Sequence, residues 1–65
     1  MNVKVNGKEV SVQGTTLTDL IVQLALPQNG VAVAVDNKMI PRTQWSDYIL
    51  REGLQIVVIK AACGG

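Results

Sequence analysis

The chain has 65 residues, with six Lys and Arg against five Asp and Glu, no histidine and one cysteine. That length allows one domain with a thin core, because a chain this small buries only about 60% of its unfolded surface. With 48% apolar and 17% charged residues it is globular rather than disordered.

The cations are scattered from Lys4 to Lys60, and the only aromatics are Trp45 and Tyr48. The concentrated positive face or stacking platform of a nucleic-acid binder is therefore missing. The longest strictly apolar runs, Val31–Val35 and Ile56–Ile59, fall far short of the roughly 20 residues of a membrane span. The start, Met1-Asn2-Val3-Lys4, lacks a signal-peptide pattern. One cysteine cannot close an internal disulfide, which fits a reducing compartment. The expectation is a cytoplasmic monomer with no nucleic-acid or membrane partner.

Residues 1–13 predict a hairpin about Asn6-Gly7, a pair that tolerates the positive φ of a two-residue turn. The resulting register places Met1, Val3, Val5, Val10 and Val12 on one face, with Lys8 at its end. Asn2, Lys4, Glu9, Ser11 and Gln13 take the other, with Lys4 opposite Glu9 as a cross-strand charge pair. A slip of one residue would turn every valine outward.

After the Gly14-Thr15-Thr16 loop, residues 17–26 predict a short helix, with Thr16 and Asp19 spaced as a capping box. Leu17, Leu20, Ile21 and Leu24 share one stripe, which must lie on the valine face because so short a helix is unstable alone. Pro27 ends the helix and Gln28-Asn29-Gly30 turns the chain.

Val31–Val35 predicts a strand, Asp36-Asn37 a turn, and Lys38-Met39-Ile40 a return strand that Pro41 stops or confines to an edge. Residues 42–50 are irregular or a single helical turn, with Trp45 as a plug over one end of the core and Tyr48 facing the same way. After a turn at Glu52-Gly53 comes the last strand, Leu54–Ile59. Placing Leu54, Ile56 and Val58 inward turns Gln55, Val57 and Ile59 outward, and branched residues on both faces suit a central strand with one face partly exposed. The fold class is α+β: a roll with one helix on a mixed sheet.

Catalytic machinery is scarce. Histidine, the commonest general base and metal ligand, is absent. Glu9, Asp19, Asp36, Asp47 and Glu52 fall at turns, a helix start and strand surfaces, unpaired for acid–base work. One cysteine without histidine makes no metal site, and Gly7, Gly14, Gly30 and Gly53 stand singly at turns rather than in a phosphate loop. Cys63 is the one nucleophilic side chain and could carry a persulfide or join a partner thiol. With no cation nearer than Lys60 to lower its pKa, it reads instead as a tolerated small residue.

Beyond Lys60 come Ala61-Ala62-Cys63-Gly64-Gly65. Five extended residues reach roughly 17 Å, and the Gly64-Gly65 pair, lacking Cβ atoms, fits a channel too narrow for other side chains.

The Asn6-Gly7 hairpin, Gly14-Thr15 with Leu20 at the helix entry, Val33-Ala34-Val35-Asp36-Asn37-Lys38, Ile40-Pro41-Arg42-Thr43-Gln44-Trp45, Glu52-Gly53-Leu54-Gln55-Ile56 and Gly64-Gly65 together resemble the sulfur carriers of thiamine biosynthesis, the ThiS family. The resemblance spans the chain. It implies a ubiquitin-like β-grasp fold with parallel, adjacent first and last strands, comprising residues 1–60, and a flexible tail, residues 61–65.

It also implies a carrier rather than an enzyme. An E1-like adenylyltransferase (ThiF-like) would use ATP and magnesium to activate the Gly65 carboxylate. Sulfur from cysteine, delivered through a cysteine desulfurase, would displace AMP and leave a thiocarboxylate for a thiazole synthase (ThiG-like). This chain itself would bind no cofactor. Gly64 and Gly65 carry over as functional residues, whereas Cys63 receives no role.

Strand parity makes outward Val57 and Ile59, bordered by Ala32 and Ala34, the expected docking patch, unless the chain's own loops cover them. The rival assignments are the small subunit of molybdopterin synthase, with the same fold and Gly-Gly chemistry, and a ubiquitin-like modifier or interaction module.

Overall fold

The computed structural model describes residues 1–27 and 30–60. The element order is β1 (Asn2–Val5), β2 (Lys8–Ser11), α1 (Leu17–Gln23), β3 (Val31–Val35), β4 (Lys38–Ile40), a 3₁₀ helix (Arg42–Asp47) and β5 (Gln55–Lys60). The strands form one sheet in the order β2-β1-β5-β3-β4. β1 and β5 run parallel at its centre, each flanked by an antiparallel hairpin partner or neighbour. This is the β-grasp roll.

The turn residues set the registers. Asn6 and Gly7 have φ of 52° and 83°, and Asp36 and Asn37 have 51° and 68°, the positive values that two-residue hairpins need to match strand twist. Asn2, Val3, Lys4 and Val5 therefore face Ser11, Val10, Glu9 and Lys8, as the valine alternation requires. Lys4 and Glu9 lie opposite each other, but the Glu9 carboxylate accepts instead from the Asn2 side chain at 2.8 Å. Met1 ends the valine face yet remains exposed, and Val10 is half-buried.

Leu17, Leu20 and Ile21 are the buried stripe of α1, packed with Val3, Val5, Val33, Val35 and Ile56 in one core. Trp45 is 2% exposed, and its indole Nε1–H donates to the Ile40 carbonyl at 2.9 Å, which satisfies the polar atom that burial would otherwise strand. It plugs the core, as the sequence implies. Ile40 ends the edge strand β4, and Pro41 caps the 3₁₀ helix.

The helix start is the capping box anticipated from Thr16 and Asp19. Thr16 Oγ1 accepts from the Asp19 N–H at 3.2 Å, while Asp19 Oδ2 accepts from the N–H groups of Thr15 and Thr16 at 3.0 and 3.1 Å. A Cβ on Gly14 would collide with the Cβ and carboxylate of Asp19, so this geometry requires glycine there. The helix end is different from expectation: α1 stops at Gln23 rather than near residue 26. The Leu26 N–H donates to the Ile21 carbonyl at 3.1 Å and the Ala25 N–H to Val22 at 3.0 Å. That pairing is a Schellman closure with Ala25 in the left-handed position, φ 57°, where glycine is the usual occupant. No helix among the described residues is long and apolar enough to cross a membrane.

Ala25→Gly is expected to raise stability by about 1 kcal/mol by relieving the left-handed alanine, moving Tm up by roughly 4–8 °C in a domain this small. Thermal unfolding followed by circular dichroism measures it, and an unchanged Tm contradicts a left-handed Ala25. The Thr15 and Thr16 N–H groups hold the Asp19 carboxyl below its ordinary 3.8. A folded-state pKa below the unfolded one gives stability that is complete above the unfolded value and lost as pH falls through the folded value. Asp19→Asn should thus be less stable than the parent at pH 7, with the difference shrinking in urea titrations at about pH 2.5.

Candidate functional site

β5 is the strand from which residues 61–65 continue, and it lies in the middle of the sheet. Its even residues face α1: Ile56 is buried and Val58 half-buried. Its odd residues face away from the helix, where Val57 is 42% and Ile59 54% exposed. No loop among the described residues shields them from solvent.

The pairing with β3 sets Ala32 directly opposite Ile59 and Ala34 opposite Val57. The two alanines are half-buried, and their short side chains leave the neighbouring branched residues standing proud. On β4, Met39 is opposite Ala34 and 57% exposed, so it extends the patch to the sheet edge. Met39 is missing from the patch drawn from sequence. The signal was available: a two-residue turn at Asp36-Asn37 places Met39 across from Ala34. The other half of this face is polar, built from Asn2, Lys4, Glu9, Ser11 and Gln55.

Among the described residues, two shallow grooves meet the end of β5. One, of about 300 Å³, lies between Gly30, Val31, Ala32 and Ile59. The other, of about 490 Å³, lies between Val5, Asn6, Leu24, Leu26, Val58 and Lys60 on the helix side. The strand end therefore has apolar walls on both faces of the sheet.

The strand end is also pinned by a contact that sequence alone does not reveal. Asn6 closes the first hairpin, yet its carboxamide reaches Val58, accepting from the main-chain N–H at 2.9 Å and donating to the carbonyl at 3.2 Å. Near the strand's beginning, Asp36 Oδ1 accepts from the Gln55 N–H at 3.2 Å.

Among the described residues no three His, Cys, Asp or Glu side chains gather where they could hold a metal. Asp19, the carboxyl with a lowered pKa, is engaged at the start of α1 and is not part of this surface. The described body thus offers a shaped surface beside a strand end, without a constellation of acid, base and nucleophile. Cys63, Gly64 and Gly65, the sequence-derived tail residues, lie outside the described residues, as do Gln28 and Asn29 of the expected turn after the helix.

Comparison with known proteins adds four findings. Sulfur carrier protein ThiS of Escherichia coli is 36% identical over 52 residues, which cover 80% of this chain and 79% of that protein. The crystal structure of the thiamine biosynthesis protein ThiS from Geobacter metallireducens matches over the full length of both chains, with a TM-score of 0.82 and 26% identity. The solution structure of a thiamine biosynthesis protein from the same organism matches all of this chain and 88% of that one, with a TM-score of 0.79 and 25% identity. The model of the ThiS family matches residues 2–65, and on these grounds the chain belongs to the ThiS family.

Proposed function

We propose that this chain is a sulfur carrier of thiamine biosynthesis whose reactive group is the carboxylate of Gly65. The observation that supports it most is the family match, which runs through residue 65 and so includes the Gly64-Gly65 end. The relative in Escherichia coli bears the name sulfur carrier protein. In this reading residues 1–60 are the body and residues 61–65 the tail that enters a partner's active site, in a reducing compartment such as the cytoplasm.

The chemistry follows from a terminal carboxylate without neighbouring side chains. In an E1-like adenylyltransferase of the ThiF kind, a Gly65 oxygen attacks the α-phosphate of the partner's ATP. Pyrophosphate leaves, and the carboxylate becomes a mixed anhydride with AMP. Magnesium, held by the partner, offsets the charge of the leaving phosphates. The terminal sulfur of a persulfide, formed from cysteine on a desulfurase, then attacks the carbonyl carbon and AMP departs, leaving an acyl disulfide between Gly65 and the sulfur donor. A second thiol attacks the donor's sulfur, forms a disulfide with it and so supplies the two electrons that release Gly65 as a thiocarboxylate, which a ThiG-like thiazole synthase consumes. Glycine at both last positions lets the backbone lie in a narrow channel with its carbonyl carbon open to attack. The carrier contributes reach and recognition, while its partners contribute catalysis.

Recognition in this proposal uses Val57, Ile59, Ala32 and Ala34, with Met39 at the margin. Exposed branched residues beside the strand end give a partner apolar area to bury, and burial there brings the tail within reach of an active site. Cys63 is given no part.

After incubation with ATP, a ThiF-type adenylyltransferase, a persulfide-charged desulfurase and a thiol reductant, the intact mass should rise by one oxygen-to-sulfur exchange, located on Gly65 by fragmentation. Deleting Gly65 should abolish the gain while leaving the circular dichroism of the body unchanged. Higher-mass conjugates on a denaturing gel, without that gain, would favour a ubiquitin-like modifier. Val57→Asp should preserve the fold, because the side chain already faces solvent, and should weaken binding to the adenylyltransferase roughly tenfold or more, the scale of losing one central interface residue. Unchanged affinity by titration calorimetry excludes the patch.

A further inference from the structure

We infer that Asn6 is a positioning residue for the tail: its carboxamide holds the end of β5 in register after β1 has turned away. Alternate residues of β5 direct their main-chain groups toward β1. The Leu54 carbonyl accepts from the Lys4 N–H, and the Ile56 carbonyl accepts from the Asn6 N–H, both at 2.9 Å. The next rung belongs to Val58, but the chain has by then entered the turn at Gly7. The Asn6 side chain supplies that rung itself, with its oxygen on the Val58 N–H at 2.9 Å and its nitrogen on the Val58 carbonyl at 3.2 Å. A carboxamide carries a donor and an acceptor side by side and so reproduces the two groups of a main-chain partner. Without it, the last residues of β5 are supported from one side alone, by β3 through the pairs Ala32 with Ile59 and Val31 with Lys60.

The consequence for function rests on the carrier reading. A strand fixed through Val58 holds its end at Lys60 in one place relative to the docking face, so that a partner docked on the body meets the start of residues 61–65 at a fixed point. A frayed strand end must be ordered at the moment of docking, and that ordering cost falls on binding rather than on the later chemical step.

Asn6→Gly separates this role from the turn, because glycine keeps the positive φ of 52° at this position while removing both bonds. In the full-length variant, hydrogen exchange at the Val58 amide should accelerate while exchange in α1 stays at its parental rate. In ATP–pyrophosphate exchange with a ThiF-type adenylyltransferase, KM for the carrier should rise roughly 5- to 30-fold, the factor for ordering one further residue, with kcat unchanged. Asn6→Asp, which keeps the acceptor and loses the donor, should fall between the two. Unaltered Val58 exchange in Asn6→Gly overturns the clamp, and accelerated exchange with an unaltered KM overturns its positioning role alone. A parent chain that gives no pyrophosphate exchange refutes the carrier reading and takes the positioning role with it, a failure distinct from the other two.

Discussion

The parallel pairing of β1 with β5 is the constraint on which the structure depends. Each hairpin is local and closes on a two-residue turn, but a lone hairpin is marginal in water. Only β5 joins them, with Lys4 beside Gln55 and Val5 beside Ile56 on one side and the longer β3 ladder on the other. Inserting β5 also completes the floor on which Leu17, Leu20 and Ile21 lie. The two hairpin turns reinforce that insertion from opposite edges, Asp36 on Gln55 and Asn6 on Val58. In each case a residue selected for positive φ also carries the polar group that the neighbouring strand lacks.

This arrangement ties the body to its proposed use. A central strand ordinarily has both faces covered, and branched residues on both sides of β5 agree with that habit. Here α1 covers one face while Val57 and Ile59 remain open to solvent on the other. In so small a domain, placing two branched residues outward rather than in the core withholds apolar area from folding. A partner that buries them recovers that area in binding.

Much of this was legible in the sequence because it is local. Asn6-Gly7 fixes a turn, the turn fixes a register, and the valines then have one face to occupy. The capping box is equally local, since Thr16 and Asp19 are three residues apart. The helix end escaped because Ala25 adopts a conformation usually left to glycine, and nothing in its identity announces this. The Asn6 bonds to Val58 escaped for another reason: they join residues 52 apart in the chain, and an Asn in a turn is already accounted for by its φ. The outward patch followed from alternation along β5, whereas the edge contribution of Met39 required following the register one strand further. The tail, residues 61–65, lies outside the described residues, and its reading rests on the rest of the chain, since two terminal glycines alone do not mark a carrier.

The order of synthesis is the reverse of the order of importance in the sheet. Four strands and the helix leave the ribosome before the one that must slide between them, so a chain interrupted ahead of Gln55 holds two unconnected hairpins and a helix with no floor. Closure waits on contacts between distant residues, which makes folding slower than in helical domains of equal length. In the proposed carrier role, this timing means that the surface of Val57 and Ile59 exists only in a chain that has reached β5, so a shorter product has no folded face to offer a partner.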